Sequence, residues 1–313
     1  MTTQARAATG KAVHYAAGTF VTCIVRSLPD GRQLVSHSRL HRKGLPPVQL
    51  GTDGIARRAS LVASPWLHLW APDRMAWWVA QLFIIGSTCF ALGGFVSNWP
   101  QYSPAVLADS GVINAVFFTG SLFFTGAAWL QLLEAINGDV SEIDTVNGTR
   151  RQNWRWFAWK PRNAGYDASL VQFAGTLLFN LNTADAMLSG LARVEEDILI
   201  WTPDFIGSIC FLIASYLALI EVSHRLWSLQ PRQVSWWIVM INLLGSVAFM
   251  LAALYSYFPP STIKPEWVWG ANLFTLAGAV CFLVASYLMI PELFGAGRAL
   301  DTPTGLSSNQ LSK

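Results

Sequence analysis

The sequence predicts an all-α, polytopic membrane protein: six transmembrane helices arranged as three parallel-repeat helical hairpins. Three observations predict it. The 313 residues are 53% hydrophobic and only 12% charged, against about 25% charged in ordinary soluble domains. Six apolar stretches, at 76–98, 111–134, 167–188, 198–222, 235–257 and 267–290, are each long enough to cross a hydrocarbon layer about 30 Å thick at a helical rise of 1.5 Å per residue. The third observation is the placement of Lys and Arg, which are retained on the cytoplasmic side of a membrane. Nineteen of the 21 fall before the first stretch, in the second and fourth connections or in the tail, and only Arg193 and Lys264 fall in the alternate connections. Both termini are therefore expected in the cytoplasm of a cell whose plasma membrane the chain crosses.

The first 75 residues differ from the rest. They carry ten Lys/Arg against Asp30, Asp53 and Asp73, so they read as a basic cytoplasmic segment. Within them, TFVTCIVRS and RQLVSHSRL flank Leu28-Pro29-Asp30-Gly31, which predicts a β-hairpin over 19–38. Residues 44–64 read as linker. His37 and His41 stand four apart, but no third ligand accompanies them and the segment does not read as helical, so no metal site is expected.

Each apolar stretch then contains G-[STA]-x-x-F. The copies begin at Gly86, Gly120, Gly175, Gly207, Gly245 and Gly278. Successive glycines are 34, 55, 32, 38 and 33 residues apart, so the short intervals fall within pairs. The repeating unit is thus a two-helix hairpin: 76–134, 167–222 and 235–290, with a basic aromatic loop at 135–166 and a tail at 291–313. Hairpins that start and end on one side are related by an axis along the membrane normal. Counting the glycine as position 0, positions 0, +1, +7 and +8 in the six stretches hold Gly, Ala, Ser or Thr everywhere except Asn182. In lipid, helices associate through close backbone approach at such small residues, and a seven-residue repeat favours left-handed crossing.

Fourteen residues after its glycine, the second helix of every hairpin places a glutamate: Glu134, Glu221 and Glu292. Such a set is either an inner carboxylate ring that attracts cations or a trio of interfacial anchors. Near the opposite face, Asp204 follows Trp201-Thr202-Pro203, and the third stretch ends in Asn182-Thr183-Ala184-Asp185. The hairpin brings Asn182 and Asp204 to similar depth. Intramembrane acids are functional candidates by default, so Asp204, Asn182 and Asp185 form a possible outer ion or polar site. The alternative is a hydrogen-bonded clasp between two helices. Polar residues also recur three positions before the glycine, at Gln172, Asp204, Asn242 and Thr275, as a conduit lining or as interhelical glue.

The run Trp154-Arg155-Trp156-Phe157-Ala158-Trp159-Lys160-Pro161-Arg162, with Trp77-Trp78 and Trp236-Trp237, marks a membrane interface, and the interleaved cations suit anionic lipid headgroups. That tethering argues against nucleic acid as a partner. Cys23, Cys89, Cys210 and Cys281 contain no CxxC pair, so neither disulfide framework nor zinc site is indicated. No phosphate-binding, metalloprotease or serine-hydrolase motif occurs, and neither catalytic residues nor a cofactor are expected.

The last hairpin, from Trp269-Gly270-Ala271-Asn272 through Gly278-Ala-Val-Cys-Phe282 to Ser286-Tyr287 and Pro291-Glu292, resembles the YrhK-like domain, a two-helix module of bacterial membrane proteins. The longer pattern, with WRWFAWKPR and VQFAGTLLFNLNT, is similar to uncharacterised six-span bacterial proteins carrying that module. The resemblance implies a bacterial cytoplasmic membrane and brings no activity with it. The function expected from sequence is therefore a non-enzymatic structural, sensory or assembly component, with a transporter or channel for a small cation or proton as the alternative.

Overall fold

The computed structural model describes residues 12–27, 31, 33–45, 48–50, 56–57, 64–138, 154–188, 190–257 and 265–295. Its first part is a five-stranded antiparallel sheet in chain order: β1 (Ala12–Ala17), β2 (Phe20–Ser27), β3 (Gln33–His37), β4 (Val48–Leu50) and β5 (Ala56–Arg57). A two-residue turn joins β1 to β2, with Gly18 at φ 60° where a side chain would be strained. Cys23 faces His37 and Val25 faces Val35 across β2 and β3. Cys23, Val25 and Val35 are buried, the period of two expected when one sheet face meets a core. Of the expected turn Leu28-Pro29-Asp30-Gly31, only Gly31 lies within the described residues, at φ 81°. Strand β3 runs straight into a single helical turn, α1 (Ser38–Arg42). Here the structure departs from the strand continuation and the non-helical reading of His37–His41.

Six long helices follow: α2 (Met75–Asn98), α3 (Ser110–Asn137), α4 (Ala164–Asp185), α6 (Thr202–Ser223), α7 (Val234–Ser256) and α8 (Pro265–Leu293). The short α5 (Arg193–Glu196) leads into α6 through a π-helical turn at Asp197–Trp201. Five of these segments are long and apolar enough to cross a membrane: α2, α3, Val194–Ser223, α7 and α8. The remaining long helix, α4, carries Asp167, Gln172, Asn180, Asn182 and Asp185 along its 22 residues, and this polar load lowers its mean hydropathy. Each helix packs on the next in the order α2, α3, α4, α6, α7, α8, and α8 returns to α2, closing a ring.

The small-residue positions all turn inward. Ser87, Ser121, Thr176, Ser208, Ser246 and Ala279, each one residue after its glycine, are fully buried. Within each hairpin the two glycines face each other and take one another's phenylalanine. A β-carbon on Gly86 would lie 2.9 Å from the Gly120 carbonyl oxygen and 2.7 Å from Phe124, and one on Gly278 would lie 3.0 Å from the Gly245 oxygen and 2.5 Å from Phe249. The same reciprocity relates Gly175 to Phe211 and Gly207 to Phe179. Between hairpins the small polar residues bond directly, Ser121 to Thr183 at 2.9 Å and Ser215 to Ser246 at 2.8 Å.

The approaches to the helices also recur. Trp77 donates its indole N–H to Leu69 O and Trp78 to Pro72 O, while Trp236 donates to Ser228 O and Trp237 to Pro231 O. The offsets, eight and six residues, are identical in the two places. These paired tryptophans fix a Pro-containing turn against the start of α2 and of α7, with exposed Trp70, Trp78, Trp227 and Trp237 at the rim.

Candidate functional site

The phenylalanines of α3, α6 and α8 form a triangle on the bundle axis. Phe124, Phe211 and Phe282 have ring centroids 6.5, 5.8 and 5.9 Å apart. Phe90, Phe179 and Phe249, from the other three helices, pack on the same cluster. This is a plug of six rings, with edge-to-face pairs favoured by aromatic quadrupoles.

Ten residues beyond each ring of the triangle, about 15 Å along a helix, come Glu134, Glu221 and Glu292. All three are buried, and α1 runs in among them carrying buried Arg39, Arg42 and Lys43. Arg39 grips Glu292 with both nitrogens, Nε to Oε1 at 3.0 Å and Nη2 to Oε2 at 3.3 Å. Lys43 Nζ and Ser235 Oγ also donate to Glu292. Arg42 Nε and Nη2 donate to Glu221 at 3.3 and 3.1 Å, and Ser38 Oγ donates to Glu221 Oε1 at 2.8 Å. The third carboxylate is held less directly, with Glu134 Oε2 at 4.0 Å from Arg42 Nη1. Three cations thus meet three carboxylates, and the cluster is neutral when all six are ionised.

Burial alone would lower the Arg42 pKa, but Glu221 and Glu134 hold it above its usual value. Burial, reinforced by Arg39, pulls Lys43 down to about 8 against the opposing influence of Glu292. Lys43 therefore remains mostly charged at neutral pH, because it lies beside a carboxylate.

Two glycines make room for this insertion. A β-carbon at Gly138 would collide with Arg42 Cα and Cβ, and one at Gly165 would collide with Glu221 Oε1. Gly165→Val is expected to loosen α1 from the bundle while leaving the helix ring intact. Limited trypsin digestion would then cleave at Arg39, Arg42 or Lys43 at least tenfold faster than in the wild type; unchanged protection would refute the fit described.

A second contact ties the sheet to α6. His37 Nδ1 lies 2.9 Å from His224 Nε2, with ring centroids 4.9 Å apart, and His224 ends α6 in a left-handed conformation, φ 53°. Burial, aided by His224, lowers the His37 pKa to about 3. Burial lowers His224 to about 4 although Glu221 pulls the other way. Both values lie below the unfolded value of about 6.5, so the docked form prefers neutral rings. Its stability is complete above about pH 6.5 and falls as pH drops toward 4, by at most about 1.4 kcal/mol per pH unit per histidine. Trypsin-independent probes of docking, such as hydrogen exchange of β2 and β3, should show this weakening between pH 6 and 4.

The outer candidates are arranged differently from the expected pair. Asn182 donates its amide to Ile200 O at 2.8 Å, across the π-helical turn, and among the described residues Asp204 makes no hydrogen bond or ion pair. Asp185 closes α4, its carbonyl accepting from Leu188 N at 2.9 Å. Pro203 accounts for this local geometry. It lacks an N–H and its ring crowds the carbonyl four residues back, that of Leu199, and the wider π turn relieves that crowding. Thr202 Oγ1 completes the turn by donating to Asp197 O at 2.7 Å. The other polar residues mostly bridge helices: Gln131 to Gln172 at 3.3 Å, Asn180 to Thr125 at 2.9 Å and Asn114 to Ala186 O at 2.7 Å.

Between plug and ion cluster lies a cavity of about 50 Å³, bounded by Phe124, Phe211 and Phe282 on one side and Arg39, Arg42, Lys43 and Glu134 on the other, with Gln131, Gln172, Ser215, Asn242 and Ser246 in its wall. Ser38, Arg39, Arg42 and Lys43 were not singled out by sequence. Their signal is the i, i+3, i+4 spacing of Arg39, Arg42 and Lys43, which places three cations on one side of a helical turn. No protein-family model, curated protein or solved structure matches the chain.

Proposed function

We propose that the chain is a non-enzymatic integral membrane protein, a structural, sensory or assembly component. In this reading six helices span the bilayer as three repeats of one hairpin, and the N-terminal sheet caps the bundle on the cytoplasmic side. One observation carries it: the three repeat glutamates are engaged by cations of the same chain, so they act as an anchor for the sheet rather than as a ring open to solution. Reciprocal packing of Gly and Phe in each hairpin, and the matching tryptophan contacts before α2 and α7, support the repeat. The bias of Lys and Arg supports a cytoplasmic location of both termini. The exposed Trp and Arg/Lys at the rim suit anionic headgroups. The resemblance of the last hairpin to the YrhK-like domain fits a bacterial cytoplasmic membrane.

The second reading, a transporter or channel for a small cation or proton, is favoured by one observation. Asp204 lies within an apolar helix beside a π turn, with no bonded partner among the described residues, and π turns are frequent at functional positions. Its route would run from Asp204, Asn182 and Asp185 to the glutamates, past a plug of phenylalanines that must part. Proteoliposomes decide between the two. Proton and alkali-cation flux indistinguishable from empty vesicles, and unaltered by Asp204→Asn, is the result expected; a flux abolished by that substitution would overturn the structural reading.

A further inference from the structure

We propose that the cavity under α1 is a site for a neutral protic guest, a cluster of water molecules that joins Arg42 to Glu134. Among the described residues, two polar atoms in the ion cluster have no hydrogen-bond partner, Arg42 Nη1 and Glu134 Oε2, each buried and 4.0 Å from the other. Both residues line the same cavity. A buried ionised group left unsatisfied is costly, and 4.0 Å is too long for a hydrogen bond.

The chemistry of the two atoms selects the guest. It must accept from a guanidinium N–H and donate to a carboxylate oxygen. An anion could accept from Arg42 but would face Glu134 at close range, and a metal cation could bind Glu134 but would face Arg42, Arg39 and Lys43. Either ion would also add a net charge to a cluster that is neutral when its six groups are ionised. Water does both jobs without charge. The volume of about 50 Å³ holds roughly three to five waters at 10–15 Å³ each, and the amides of Gln131, Gln172 and Asn242 supply further partners in the wall. Glu134 thereby becomes the one carboxylate of the three that reaches the cations through solvent, whereas Glu221 and Glu292 touch them directly.

The test is a structure of the full chain from crystals grown in a lipid phase, at a resolution that shows ordered water, with bromide and rubidium in parallel crystals. Discrete density within about 3.2 Å of both Arg42 Nη1 and Glu134 Oε2, with no anomalous signal from either ion, is expected. An empty cavity, or an anomalous peak at that place, would overturn the proposal. Glu134→Gln keeps an acceptor and a donor facing Arg42, so the density should persist; its disappearance would show that the guest answers to charge, against the proposal.

Discussion

Glu292→Ala is expected to destabilise the protein by about 3–5 kcal/mol, the range for breaking a buried ion pair from one side. The physical reason lies in what stays behind. Arg39 and Lys43 both donate to this carboxylate, and both are buried once α1 is docked. Truncating Glu292 strands two buried cations without the carboxylate that binds both, whereas truncating Lys43 leaves the Arg39 bond in place. Thermal unfolding of the purified protein in nanodiscs measures the effect. The combined substitution Arg39→Met, Lys43→Met and Glu292→Leu should recover most of the loss, because replacing a buried ionic group wholesale with apolar side chains is often neutral or stabilising. A loss below about 1 kcal/mol for Glu292→Ala would mean that the ion cluster is not what holds the sheet.

Phe124→Ala is expected to cost a similar amount, about 3–5 kcal/mol. Phe124 is the most connected ring of the plug, with centroids 5.5 Å from Phe83 and Phe90, 5.9 Å from Phe282 and 6.5 Å from Phe211. It also fills the space over Gly86, so its removal opens a void between α2 and α3. Those helices cannot collapse into it, since their backbones already meet at Gly86 and Gly120. Leu122, two residues away and 49% exposed, serves as the control, and Leu122→Ala should stay within about 0.5 kcal/mol. The same nanodisc unfolding experiment reads both, and equal losses at the two positions would refute a central role for the plug.

Repetition is what made the helices readable. Six copies of one glycine–phenylalanine spacing mark a packing surface, because in lipid only close approach rewards small residues so consistently, and those positions are the buried ones. The glutamates were readable as a set for the same reason. What they bind was not. Arg39, Arg42 and Lys43 share the i, i+3, i+4 spacing of one helical face, but a helical turn of five residues is too brief to repeat that spacing and set it apart from the other cations of a basic segment. Its form is imposed by tertiary contact, since a single turn does not persist alone. Sequence set Asn182 level with Asp204, and its amide instead meets Ile200 O. Residue spacing does not reveal a π turn, and it is across that turn that the Asn182 amide reaches Ile200 O. The low hydropathy of α4 has a comparable origin, since its polar side chains find partners on α3 and in the π turn and need not face lipid.

The ion cluster also orders events in time. Arg39 and Lys43 leave the ribosome early, yet their carboxylate lies 253 and 249 residues further along the chain. Until α8 has been made, Arg39 and Lys43 lack the carboxylate they bond, and only Glu134 and Glu221 are there to engage α1, through Arg42 and Ser38. Closing so long a loop adds only a slowly growing entropic penalty, so attachment can follow promptly once Glu292 arrives. The strands are thus translated first, and the contacts that seat them are complete only when α8 is in place.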